Sequence, residues 1–156
     1  MSRVTSPPVL VMCCVDYRYI DAILRFARKR LGAGTYDVKT DAGGTKALLN
    51  GDPAVGAWIM ENLTLAYNRH GVRTVVLIHH EDCAAYGGSK AFKDQPEEER
   101  FHAHQLAMAA ALLRASFRRL TVRMFYAYRV RRRIVFAEIV GSRPRHRAAR
   151  RVCTRG

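Results

Sequence analysis

The chain has 156 residues, 49% of them hydrophobic, which suffices for one compact domain with its own core and argues against several. It holds no run of about 18 apolar residues, and MSRVTSPPVL lacks the charged-then-apolar layout of a signal peptide; no membrane partner is expected, and the protein is read as cytoplasmic. The net charge of +14 is uneven: residues 1–113 carry 13 Lys and Arg against 12 Asp and Glu, and residues 114–156 carry 14 against Glu138 alone, so the basicity belongs to the carboxyl-terminal quarter.

Val9 to Cys13 is a short apolar run behind Pro7-Pro8 and predicts a buried first strand with Cys14 at its carboxyl end. Ile20 to Leu31 follows with helical spacing, basic residues in its last turn and Gly32 as a stop. Tyr36 to Thr40 reads as a second strand, broken by Asp41-Ala42-Gly43-Gly44-Thr45. Asp52 and Pro53 then open a helix whose apolar stripe is expected to be Val55, Trp58, Ile59, Leu63 and Ala66, ending at Gly71.

Thr74 to Ile78 predicts a third strand buried on both faces, which delivers His79 and His80 at its carboxyl end. Pro96 and the acids behind it open a further helix through Phe101, Met108, Ala109 and Leu112. Strands near Thr121 to Ala127 and Ile134 to Ile139 complete a domain over residues 1–140, and from Gly141 onward the chain reads as an Arg-rich tail. Strands alternating with helices imply an α/β fold, a mostly parallel sheet with helices on both faces.

Four cysteines, at 13, 14, 83 and 153, are too few and too unevenly placed for a disulfide framework. If the first strand lies between the second and third, the carboxyl ends of strands one and three flank a topological switch point. Cys14 stands at one of those ends, with His80 and Cys83 at the other. Two thiolates and an imidazole suit zinc, and three protein ligands leave a fourth position open, as in a catalytic site.

Cys14-Val15-Asp16-Tyr17-Arg18 and His80-Glu81-Asp82-Cys83, with Ala42-Gly43-Gly44 between them, resemble the paired signature of the β-class carbonic anhydrases over about residues 9–90. The resemblance implies Zn2+ held by Cys14, His80 and Cys83, and a catalytic dyad in which Arg18 holds Asp16 against a zinc-bound hydroxide. It implies reversible hydration of carbon dioxide to bicarbonate, and a homo-oligomer built on a dimer. Gly43, Gly44 and Tyr86 are expected to bind substrate. Tyr17, Gly44, His79 and Ala84 depart from the family's usual residues.

Two alternatives stand beside this reading. One is hydrolysis of a carbon dioxide analogue, carbonyl sulfide or carbon disulfide; the other is a non-catalytic zinc domain presenting its basic tail to nucleic acid. The tail itself is read as a solvated extension without a dedicated nucleic-acid partner, since it carries no pattern of stacking aromatics. Cys13 falls on the face opposite Cys14 and is expected in the core. Glu99, His102 and His104 are expected on a solvated helix surface.

Overall fold

The computed structural model describes residues 8–32 and 34–145. Ten helices and strands follow in chain order: β1 (Val9–Cys14), α1 (Tyr17–Arg30), β2 (Tyr36–Asp41), α2 (Lys46–Asn50), α3 (Pro53–Arg69), β3 (Thr74–His80), α4 (Gln95–Ser116), β4 (Thr121–Val130), β5 (Arg133–Val140) and β6 (Arg143–Arg145). Two single 3-10 turns, Ala84–Tyr86 and Ser89–Ala91, fill the loop between β3 and α4.

The strands form one sheet in the order β2-β1-β3-β4-β5-β6. The first four run parallel, and β5 and β6 return antiparallel at one edge. β1 and β3 pair directly with Cys13 opposite Ile78, so both ligand-bearing ends leave the sheet at the same edge. Their near-continuous burial matches the apolar runs in the sequence, because both faces are covered. On one face α1 packs Tyr19, Ile23 and Ala27 against Val11, Cys13, Val76, Ile78 and Phe125. On the other, Ile59 and Leu63 of α3 and Leu106 and Leu113 of α4 cover Leu10, Met12, Leu77 and Met124.

Three helices differ from their sequence patterns. α1 begins at Tyr17, one turn before the expected start, because the Asp16 carboxylate accepts the Arg18 backbone N–H and caps it. α3 opens on Pro53 behind the Asp52 cap as expected, and Ile59, Leu63 and Ala66 are buried. Val55 and Trp58 of the expected stripe are 42% and 54% exposed, and the indole instead lies under the Lys39 ammonium, 4.5 Å from the ring centre.

In α4 the inward face is His102, Ala103, Leu106, Ala109, Ala110 and Leu113. Met108 and Leu112 are 42% and 38% exposed. The helix is rich in alanine, so its apolar residues run around most of the cylinder and the period does not select a face.

The expected tail starts later than predicted. Gly141, in the left-handed region at φ 64°, turns the chain, and Arg143–Arg145 pairs antiparallel with β5 as an edge strand carrying Pro144. The remainder of that tail, residues 146–156, lies outside the described residues. Among the described residues no helix is long and apolar enough to cross a membrane.

Candidate metal centre

Cys14 ends β1, His80 ends β3, and Cys83 follows three residues later, after the chain has turned through Asp82 at φ 53°. One ligand atom from each of these three buried residues lies within 4.8 Å of the others. The two sulfurs are 3.9 Å apart, close to the separation of about 3.8 Å that two zinc–sulfur bonds of 2.3 Å subtend at a tetrahedral ion.

His80 is wholly buried and its ring is oriented from behind. Nδ1 lies 2.7 Å from the Glu81 carbonyl, to which it can only donate, so the lone pair belongs to Nε2. Nε2 is buried and has no hydrogen-bond partner. An orphaned, unprotonated imidazole nitrogen facing two sulfurs fits a soft or borderline cation such as zinc. Tyr19 stacks on this ring, with centroids 4.3 Å apart, and its hydroxyl donates to Glu81 Oε1 at 3.1 Å.

The sulfurs are electrostatically unequal. The hydrogen bond shared with Cys83 holds Cys14 below the ordinary thiol range against the opposing effect of burial, and the Gly43 N–H, 3.4 Å from Cys14 Sγ, adds to this. The same contact, together with desolvation and the Cys14 charge, raises Cys83 above the ordinary thiol range. Cys13, on the other face, is pushed up to about 12 mainly by burial and stays in the core as expected.

Beside the cluster, Arg18 forks onto Asp16 through Nε and Nη2, with Nη2 2.6 Å from Oδ2. Hydrogen bonds from Arg18 depress the Asp16 carboxyl to about 2. Asp16 Oδ2 faces His80 Nε2 at 3.9 Å, so the carboxylate borders the space between the ligand atoms.

The glycines of the β2–α2 loop approach from the opposite side. Gly43 sits at φ 75°, and a Cβ there would meet Ala85, Lys46 and Tyr86 atoms at 3.0 Å each. Gly44, at φ 63°, leaves room for the His79 ring, whose Cδ2 would lie 3.2 Å from an added Cβ. The His79 ring occupies the space that a side chain at 44 would need.

Tyr86 stands beside the Gly43 loop and close enough to Cys83 and Cys14 to feel their charge. Its ring packs on His79, Phe101 and His102, and its hydroxyl is buried near Thr45. Tyr17 is 84% exposed on α1, and Ala84 opens the 3-10 turn after Cys83.

His102 is not on a solvated surface. It is fully buried, edge-on to His79 and stacked on Tyr126, and its Nδ1 is 3.1 Å from His79 Nδ1. Thr45 Oγ1 lies 2.8 Å from His79 Nε2, and Glu98 Oε1 lies 4.0 Å from His102 Nε2. Burial holds His79 well below the ordinary imidazole range and His102 at about 3, so both rings are neutral. Glu98 is likewise buried, whereas Glu99 and His104 fall on other sides of the helix. The signal for this inward polar pair was the four-residue spacing of Glu98 and His102, which places them on one face.

Comparison with known proteins agrees with this architecture. A family model described as "Putative carbonic anhydrase" matches residues 5–134. An uncharacterized protein of Rickettsia conorii is 25% identical over 129 residues, covering 80% of this chain and 69% of its own. A carbonic anhydrase from Glaciozyma antarctica superposes with a TM-score of 0.56 at 16% identity, over 86% of this chain and 84% of the other. The β-carbonic anhydrase CafD of Aspergillus fumigatus gives 0.62 at 14% identity, over 88% and 92%. One of two β-carbonic anhydrases described as tetrameric, from Sordaria macrospora, gives 0.56 at 16% identity, over 83% and 80%. At these identities the structural likenesses establish a shared fold.

Proposed function

The chain belongs to the carbonic anhydrase family that this model describes, and from that premise we propose that it is a zinc lyase that interconverts carbon dioxide and bicarbonate. The observation that carries the proposal is the convergence of Cys14, His80 and Cys83 around an unpartnered His80 Nε2, with a carboxylate held beside it by arginine. In this reading Cys14, His80 and Cys83 hold the ion. Zinc would supply a Lewis acid able to bring the pKa of a coordinated water from 15.7 to about 7.

The chain's own groups do the rest. Glu81 fixes the His80 tautomer through its carbonyl, and Tyr19 pins the ring by stacking. The Gly43 N–H withdraws charge from the Cys14 sulfur. Asp16 is ionised and oriented by Arg18, so it can only accept a hydrogen bond, which makes it suited to orient a nucleophilic oxygen toward carbon dioxide. Gly43 and Gly44 line the approach, where their lack of side chains keeps the loop close to Cys14 and His79. The working unit is the α/β domain, assembled as a homo-oligomer in the cytoplasm.

Metal analysis of the purified chain, with carbon dioxide hydration assays of wild type and Cys83→Ser, tests the proposal. About one zinc per wild-type chain, activity that rises through neutral to alkaline pH, and loss of both metal and activity in the variant are expected. A fully metallated, active Cys83→Ser protein contradicts the ligand assignment.

A further inference from the structure

The buried carboxylate of Glu98 has no part in the chemistry above, and an ionisable side chain only 2% exposed in the wall of a site requires partners of its own. Glu98 Oε1 accepts the Asp82 backbone N–H at 2.6 Å, and Oε2 accepts the Ser89 hydroxyl at 2.7 Å. Both carboxylate oxygens therefore grip the loop that carries Cys83. The loop is closed on itself as well, because Asp82 Oδ1 accepts the Ser89 N–H at 3.0 Å.

Asp82 then faces Arg18. Its Oδ2 accepts from Nη1 at 2.8 Å, and its main-chain carbonyl accepts from Nη2 at 2.9 Å. The guanidinium is a rigid planar fork. Here one edge is engaged by Asp16 and the other by Asp82, so the plane has no free direction in which to swing. The Asp82 side chain is half exposed, so the ion pair by itself is screened by water. The buried Glu98 behind it is what gives the second edge a fixed position. Asp82 also sits at φ 53°, in the left-handed region, which few non-glycine residues adopt and aspartate tolerates better than most.

We propose that Glu98 and Asp82 are positioning residues that couple helix α4 to the Asp16–Arg18 dyad: Glu98 sets the loop, Asp82 sets Arg18, and Arg18 sets Asp16. The role of the dyad in hydration rests on the proposed function; the mechanical linkage does not.

Two variants cut the chain at different links. Asp82→Gly removes the carboxylate at a position whose positive φ glycine accepts without strain, and Glu98→Ala releases the loop. Glu98→Gln keeps an acceptor toward the Asp82 N–H and serves as the conservative rescue. The primary readout is NMR of the Arg18 side-chain N–H groups in the full chain, with and without added zinc. Wild type should give separately resolved Nη signals, since the fork is held along both edges. In Asp82→Gly and Glu98→Ala these signals should average and exchange faster with water, and Glu98→Gln should resemble wild type.

Hydration kinetics should follow, with kcat/KM reduced roughly tenfold or more in either variant. The double variant should be no worse than either alone, because both cut one chain. Arg18 signals unchanged in Asp82→Gly overturn the linkage, whatever the activity, and so do effects that add in the double variant. Should Glu98→Ala fail to fold, Asp82→Gly and Glu98→Gln carry the comparison alone. A wild-type chain inactive toward carbon dioxide that still shows the NMR changes would refute the proposed function and leave the linkage standing.

Discussion

Replacing His102 by glutamine should lower the protein's acid sensitivity in the weakly acidic range by one buried histidine's share, about 1.4 kcal/mol per pH unit. In the folded chain burial holds His102 at about 3 against an ordinary value of 6.5. At about 1.4 kcal/mol per pH unit, that displacement sets a ceiling of about 5 kcal/mol, a large share of the stability of a domain this size. The folded value lies below the unfolded one, so the unfolded chain binds the extra proton between about pH 6.5 and pH 3. Stability is complete above that window and falls as pH drops through it. His79 is displaced in the same direction, also chiefly by burial, and adds a second proton. Asp16, depressed from 3.8 to about 2, and Asp82, also depressed, contribute only below about pH 4. Across about pH 4.5 to 6 the two histidines and the Cys14 thiol, which the fold holds below its ordinary range, all take up protons on unfolding. Stability there should fall less steeply in His102→Gln than in wild type, by about 1.4 kcal/mol per pH unit.

The assay is urea denaturation at stepped pH with a chelator present, so that acid release of metal does not enter. It should be followed by circular dichroism, because Trp58 is 54% exposed and reports burial poorly. The slope, not the absolute stability, is the readout, since glutamine also changes the contact with His79 Nδ1. Equal slopes in wild type and variant would refute the assignment of His102 as a ring buried neutral.

Gly43→Ala should cost about 1–2 kcal/mol for the left-handed backbone and a further 1–3 kcal/mol for overpacking, given contacts of 3.0 Å to Ala85, Lys46 and Tyr86. It should also weaken zinc binding by moving the N–H away from Cys14, measured by competition with a chelating dye. Leu106→Ala, on the buried face of α4, should lose about 2–5 kcal/mol in urea denaturation. Met108→Ala, two residues on and 42% exposed, should stay within about 0.5 kcal/mol; a large loss there would mean that this face is covered by another subunit.

The order of strands and helices and the three candidate ligands were legible in the sequence, because each signal is local. An apolar β-branched run, a proline behind an aspartate, or a histidine and cysteine three apart keeps its meaning whatever the rest of the chain does. A parallel sheet then brings strand ends together by topology, which is why Cys14 could be matched to His80 and Cys83 across 66 and 69 positions.

What only the tertiary structure decided depends on neighbours that local pattern does not encode. The alanine-rich α4 exposes Met108 and buries His102 because Tyr126 and His79 lie beneath it. Residues 143–145 join the sheet because β5 offers an edge for them to pair with, although their charge alone argues for solvent. Glu98, Asp82 and Arg18 form one chain of contacts across 64 and 16 positions, and such hydrogen bonds leave no periodic trace in sequence because each partner is supplied by a different element of the fold.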